Sequence, residues 1–176
     1  SQSTLKLMIN PLGSKLVTAS QIEISEHITH DILKTLMLRP PLLRDARDLT
    51  EEAIKLAVLH SPPIIYEKNN DNRGKKYICV GNFRSLELAR RLPASSKIRI
   101  NLIAPPLQSD INKVALTLNM SSDLALSLDP VKAGAYFSEL RTHTKDNFPD
   151  VLELISTKCQ FKKSFLEAIG LNRRKY

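Results

Sequence analysis

Apolar positions recur at two spacings along the chain, and the passage from one to the other sets its organisation. Residues Ile98-Arg99-Ile100-Asn101-Leu102-Ile103 alternate with a period of two and predict a strand, stopped by Pro105-Pro106. Ile64-Ile65-Tyr66 and Tyr77-Ile78-Cys79-Val80 are β-branched and aromatic runs. They flank the polar stretch 68–76, which contains Asn-Asp-Asn-Arg-Gly, and predict a hairpin around a long loop. Near the start, the short apolar pieces at 5–9 and at Leu16-Val17, with Ile22 and Ile24, predict edge strands broken by Pro11 and Gly13.

Helical spacing appears between these runs and then takes over. Residues 31–38 predict a short helix that Pro40-Pro41 stops. Thr50 suits an N-cap, Glu51 and Glu52 suit the first turn, and Ile54, Ala57 and Val58 share one face before Pro62-Pro63. A helix over 85–92 is closed by Pro93, and Ser109 or Asp110 caps another with Ile111, Val114, Ala115 and Leu118 at helical spacing. From Asp129 the pattern is wholly helical. Asp129-Pro130 opens a helix with Ala133, Tyr136, Phe137 and Leu140. Asp146 or Asn147 precedes a second with Phe148, Val151, Leu152 and Ile155, and a third carries Phe161, Phe165, Leu166 and Ile169 up to Gly170. The expected fold class is α/β (α+β): a small mixed sheet with packed helices over 1–120, then a helical extension over 121–176.

Composition narrows the field. With 42% hydrophobic and 25% charged residues over 176 positions, wholesale disorder is excluded and one domain, or a domain with a helical appendage, is expected. Tryptophan is absent and aromatics make up 5%, so the core rests on Leu, Ile, Val and Ala. No apolar run approaches the roughly 20 residues that cross a bilayer, and residues 1–13 lack the pattern of a signal peptide. Two cysteines far apart, Cys79 and Cys159, favour a reducing compartment, and the expected location is cytoplasmic with no membrane partner. The net charge of +8 is concentrated at the end: 158–176 holds Lys158, Lys162, Lys163, Arg173, Arg174 and Lys175 against Glu167 alone. Such a tail attracts polyanions, so DNA is the expected partner of these six residues; a solvated terminus is the alternative.

The turn Gly81-Asn82-Phe83-Arg84-Ser85 joins a strand to a helix. A helix that starts directly after a strand exposes unpaired N–H groups, and with the dipole they favour an anion. Glycine permits close approach of a ligand to the backbone, and Arg84 can grip a phosphate through two parallel hydrogen bonds. Arg90 and Arg91 add charge further along. A purely structural turn is the other reading.

The order of elements supplies a second argument. Thr50 to Ala57, Pro62-Pro63-Ile64-Ile65-Tyr66, Lys76-Tyr77-Ile78-Cys79-Val80-Gly81-Asn82-Phe83-Arg84 and the strand at Ile98–Ile103 resemble, in series, the N-terminal domain of the ParB/sulfiredoxin superfamily. There a helix leads to a P-I-x-V strand, a hairpin, a G-E-R-R turn with its helix, and an I-P-V-I-V strand. Leu118-Asn119-Met120-Ser121-Ser122 falls where partition proteins carry E-N-x-x-R, and Asp129-Pro130-Val131-Lys132-Ala133-Gly134-Ala135-Tyr136 resembles P-x-E-E-A-x-A-Y. The resemblance spans roughly 48–140. It implies phosphate or nucleotide binding by Gly81, Asn82, Phe83, Arg84, Ser85 and Asn119, with a nucleoside triphosphate and magnesium as the cofactor, and a role in plasmid or mobile-element maintenance. Five positions depart from it. Asn82 and Phe83 separate Gly81 from Arg84, the next family arginine falls at Leu86, and Leu118 and Ser122 replace charged residues, which weighs against triphosphate hydrolysis. A sulfiredoxin-type reductase is rejected, because its catalytic cysteine would fall at Asn82.

Other signals carry less. His27-x-x-His30 has metal-like spacing without companion ligands, His60 precedes a double proline, and Ser85 has no His/Asp partner, so neither a metal site nor a triad is expected. Asp45, Asp48, Glu51 and Glu52 fit helix-start charge better than a nuclease centre. The expectation is a DNA- or nucleotide-binding protein, with a homodimer or protein partner left open. Its rivals are an enzyme on the same fold (a DNase, ATPase or small-molecule kinase) and an interaction module that has lost its ligand.

Overall fold

The computed structural model describes residues 9–37, 48–71, 73–126 and 131–168. By their contacts the residues divide into two compact units, 1–37 with 58–125, and 38–57 with 126–176.

The first unit is built on a five-stranded mixed sheet in the order β1-β5-β3-β4-β2. β1 is Pro11–Thr18, β2 Ile22–Ile24, β3 Ile64–Asn70, β4 Gly74–Gly81 and β5 Lys97–Ile103. β1 and β5 pair antiparallel, β5 and β3 parallel, β3 and β4 antiparallel, β4 and β2 parallel. This is the mixed α/β class the pattern predicts, and β1 and β2 stand at the two edges. Pro11 and Gly13 do not break the first strand but lie within it. The register slips between them, and Gly13 takes φ +120°, so the chain passes the irregularity and pairs on with β5 to Thr18. Proline is tolerated at this first, edge position.

The hairpin is longer and its loop shorter than predicted. Polar residues 67–70 and 74–76 continue the ladder, with Lys68 opposite Lys76 and Asn70 opposite Gly74. Their side chains lie at the solvent end, where an ordinary apolar alternation is not required. Glu67 takes Lys75 at 2.7 Å and Lys15 at 3.6 Å, while Lys76 reaches Glu23 at 3.3 Å. Bonding from Lys75, and then the two nearby ammonium charges, hold the Glu67 carboxyl below its ordinary range. Gly74, at φ +83°, supplies the turn conformation that other residues resist. Ile65, Cys79, Val80 and Ile100 are fully buried at the centre of this sheet.

Helix α1 is His30–Leu36; the prolines expected to end it lie outside the described residues. Helix α3, Phe83–Ala89, begins two residues earlier than predicted and buries Phe83, Ser85, Leu86, Leu88 and Ala89. Helix α4, Ile111–Leu126, follows a single 3-10 turn at Gln108–Asp110, and Ile111, Val114 and Ala115 form its buried stripe.

Helix α2, Glu51–His60, carries the predicted cap: the Ala53 N–H donates to Thr50 Oγ1 at 3.2 Å. Its residues 51–57 belong to the second unit. There the Thr50 hydroxyl also donates to the Leu154 carbonyl, and the Thr50 N–H donates to that of Ile155 at 3.0 Å. Helices α5 (Ala133–Asn147), α6 (Pro149–Ile155) and α7 (Lys162–Ala168) follow, with a 3-10 turn at Thr157–Gln160 before α7. Arg141 is buried in this unit. Its Nε donates to the Cys159 carbonyl at 3.0 Å and its Nη2 to that of Gln160, so the guanidinium satisfies carbonyls at the end of the 3-10 turn. Phe137 and Phe165 meet edge-on, with centroids 6.4 Å apart. Asp129-Pro130 and Ile169-Gly170 lie outside the described residues.

Candidate functional site

The turn from β4 into α3 is ordered by Asn82. It is the one non-glycine residue with positive φ among the described residues, at φ 54°, ψ 46°. Asparagine tolerates this left-handed conformation better than most side chains. Here its side-chain Nδ2 donates to the Pro62 carbonyl at 2.7 Å, tying the turn to the entry of β3. Its own carbonyl accepts from the N–H groups of Ser85 at 3.0 Å and Leu86 at 3.3 Å, which starts the helix.

Gly81 is buried, and its lack of a side chain serves packing. A Cβ there would stand 3.2 Å from Leu118 Cδ1 and 3.3 Å from Ile64 Cβ and Cδ1. The space that sequence reasoning reserved for a ligand near Gly81 is therefore filled by the first unit's own side chains. Phe83 is 2% exposed and Ser85 8%, both in the core.

Arg84 differs from its neighbours. Its side chain is 21% exposed, yet all three guanidinium nitrogens are sealed from solvent and none makes a hydrogen bond. Nη1 lies 3.1 Å from Glu87 Oε1, close enough for an ion pair without forming a hydrogen bond. Buried polar groups are nearly always satisfied, and a guanidinium offers five donors in a fixed fork. A guanidinium paired with one carboxylate but without a hydrogen bond has a chemical reading: its fork fits a planar or tetrahedral oxyanion. Arg90, by contrast, is engaged, its Nη2 donating to the Ile22 carbonyl at 3.2 Å, while Arg91 is exposed.

Asn119 is half-buried on α4, one residue past the Leu118 that packs at Gly81, so the fold brings its segment to the turn. The basic positions fall in the second unit. Lys158 pairs with Asp48 at 2.7 Å, Lys162 and Lys163 are exposed on α7, and Lys163 lies 3.9 Å from Glu167. Arg173, Arg174 and Lys175 lie outside the described residues. The turn and the basic segment thus belong to different units.

Cys79 offers no nucleophile. It is fully buried, its thiol donates to the Gly81 carbonyl at 3.2 Å, and desolvation pushes its pKa up to about 12. His27 Nδ1 accepts from Gln108 Nε2 at 3.0 Å, beside an open depression lined by Leu107, Gln108 and Ser109. Among the described residues no three or more His, Cys, Asp or Glu side chains are grouped to hold a metal, and no helix is long and apolar enough to cross a membrane. Sequence reasoning missed Glu87, whose signal was its place three residues after Arg84 on one helix face.

No family model, curated protein or solved structure matches this chain.

Proposed function

We propose that the chain is a ParB-like protein that binds a phosphate-bearing ligand, DNA or a nucleotide, with Arg84 as the phosphate-gripping residue. One observation carries the reading: three guanidinium nitrogens without a hydrogen bond, at the start of the helix that follows Gly81-Asn82. The resemblance over roughly 48–140 adds the class of ligand and the link to plasmid or mobile-element maintenance. The guanidinium fits the phosphate of a nucleoside triphosphate. For the magnesium the resemblance offers only Asn119, an uncharged amide, so binding is proposed here and hydrolysis is not. The basic residues at 158–176 would meet nucleic acid through its backbone.

A second reading, an interaction module that has lost its ligand, is favoured by the packing of Leu118 and Ile64 into the space at Gly81. Direct binding of the four nucleoside triphosphates and of duplex DNA to wild type and Arg84→Ala separates the two. Phosphate recognition predicts binding that Arg84→Ala weakens about tenfold or more, as loss of a charge-assisted bidentate pair implies. Absence of binding to every probe would leave the interaction module.

A further inference from the structure

Alternation gives β1 and β5 a buried side and an open side. Val17, Ile98 and Ile100 are buried in the core, and the residues between them turn the other way. The register sets Thr18 opposite Lys97, Leu16 opposite Arg99 and Ser14 opposite Asn101, so these six share the open side. Ser14, Leu16, Lys97 and Arg99 are exposed, and Thr18 and Asn101 half-buried. None of them is acidic. Residues 88–109 hold Arg90, Arg91, Lys97 and Arg99 without a single carboxylate, and residues 10–22 hold Lys15 and none. Among the described residues neither Lys97 nor Arg99 has an ion-pair partner, whereas Lys15 is taken by Glu67 and Lys76 by Glu23.

Two positions apart on one strand, Lys97 and Arg99 stand about 6.5 Å apart along it, close to the interval between neighbouring phosphates of a nucleic-acid strand. Ser14 and Asn101 offer beside them uncharged donors of the kind that meet phosphate oxygens. The face carries no aromatic ring on which an unpaired base could stack, so it matches the outside of a duplex and not a single strand. We infer that the open face of β1 and β5 is a further nucleic-acid surface, one that docks the phosphate backbone of duplex DNA through Lys97 and Arg99. It needs neither Arg84 nor the basic residues at 158–176, and its contacts position the duplex without reading sequence.

Titration of a short labelled duplex of mixed sequence into the full chain, over a series of salt concentrations, tests this. Lys97→Gln/Arg99→Gln removes two charges from an exposed face and leaves the core intact. It is expected to weaken binding about tenfold and to flatten the plot of log affinity against log salt by about two units, one for each lost phosphate contact. Leu16→Lys adds a cation to the same face and is expected to tighten binding and steepen that slope by about one unit, a gain that misfolding cannot imitate. Lys34→Gln/Lys113→Gln removes the same charge from exposed positions on α1 and α4, and is expected to leave the slope as in wild type. Binding by Lys97→Gln/Arg99→Gln that equals wild type at every salt concentration, or an equal loss in Lys34→Gln/Lys113→Gln, would overturn the surface. Duplex binding lost in Arg84→Ala but kept in Lys97→Gln/Arg99→Gln would move the contact to the turn and overturn it as well. A single strand bound more tightly than the duplex would overturn the choice of occupant. Failure of wild type to bind the duplex at low salt would overturn this face and the nucleic-acid reading of the tail, while nucleotide binding at Arg84 is judged by its own titration.

Discussion

A methyl group added at Gly81 would come within 3.2 Å of Leu118 Cδ1 and 3.3 Å of Ile64 Cβ. The first contact is with the end of a rotatable side chain. The second is with an atom fixed to the backbone, which can yield only by moving the strand. Gly81→Ala should therefore cost about 1–2 kcal/mol of stability in urea denaturation, with part of the loss absent when Leu118 is shortened to Val in the same chain. An unchanged midpoint would mean that β3 gives way more easily than its central place in the sheet suggests. Position 81 was legible in the sequence as a glycine that matters, but not its reason. A strand-to-helix glycine permits both a ligand and a close-packed side chain, and only the distance to Leu118, 37 positions later, decides between them. Arg84 could be read from the chain; its orphaned nitrogens could not, since they depend on what the fold places around them.

Elements whose apolar pattern faces a core were the easiest to read. The strand Lys97–Ile103, the hairpin's inner halves and the stripe Ile111, Val114, Ala115 all follow from periodicity alone. The outer hairpin escaped because Glu67, Lys75 and Lys76 hold their places by ion pairs and backbone pairing, which carry no hydrophobic signal. The start of α3 escaped for another reason: Asn82 adopts a left-handed cap and lets Phe83 enter the helix at once. Arg141 carries no signal in the apolar pattern, yet it is among the buried side chains of the second unit. It bonds two carbonyls near the end of the 3-10 turn at Thr157–Gln160. Arg141→Met keeps the apolar stem and strands those acceptors, so a loss of about 2–4 kcal/mol is expected in the unfolding of this unit, followed by hydrogen exchange at residues 150–166. A loss below about 0.5 kcal/mol would show that water takes over both carbonyls.

For the molecule as a whole, the charge of +8 predicts association with nucleic acid that falls steeply with ionic strength. Replacing Arg173, Arg174 and Lys175 by Gln should weaken DNA binding across sequences alike. It should also flatten the plot of log affinity against log salt by about one unit for each residue that touches a phosphate. Salt-insensitive binding, or a slope indifferent to the three substitutions, would remove the tail from the interface. The order in which the parts can form follows from the split of the second unit along the chain. The hydroxyl of Thr50 finds its carbonyl partner 104 positions later, and Lys158 finds Asp48 across 110. During synthesis the stretch at 48–57 must wait, without its partners, while the last three strands of the sheet, β3 to β5, are made. Ribosomes release chain at about 5–20 residues per second, so that interval lasts on the order of 5–20 s, long enough for the sheet to be complete before Thr50 meets its carbonyl partners.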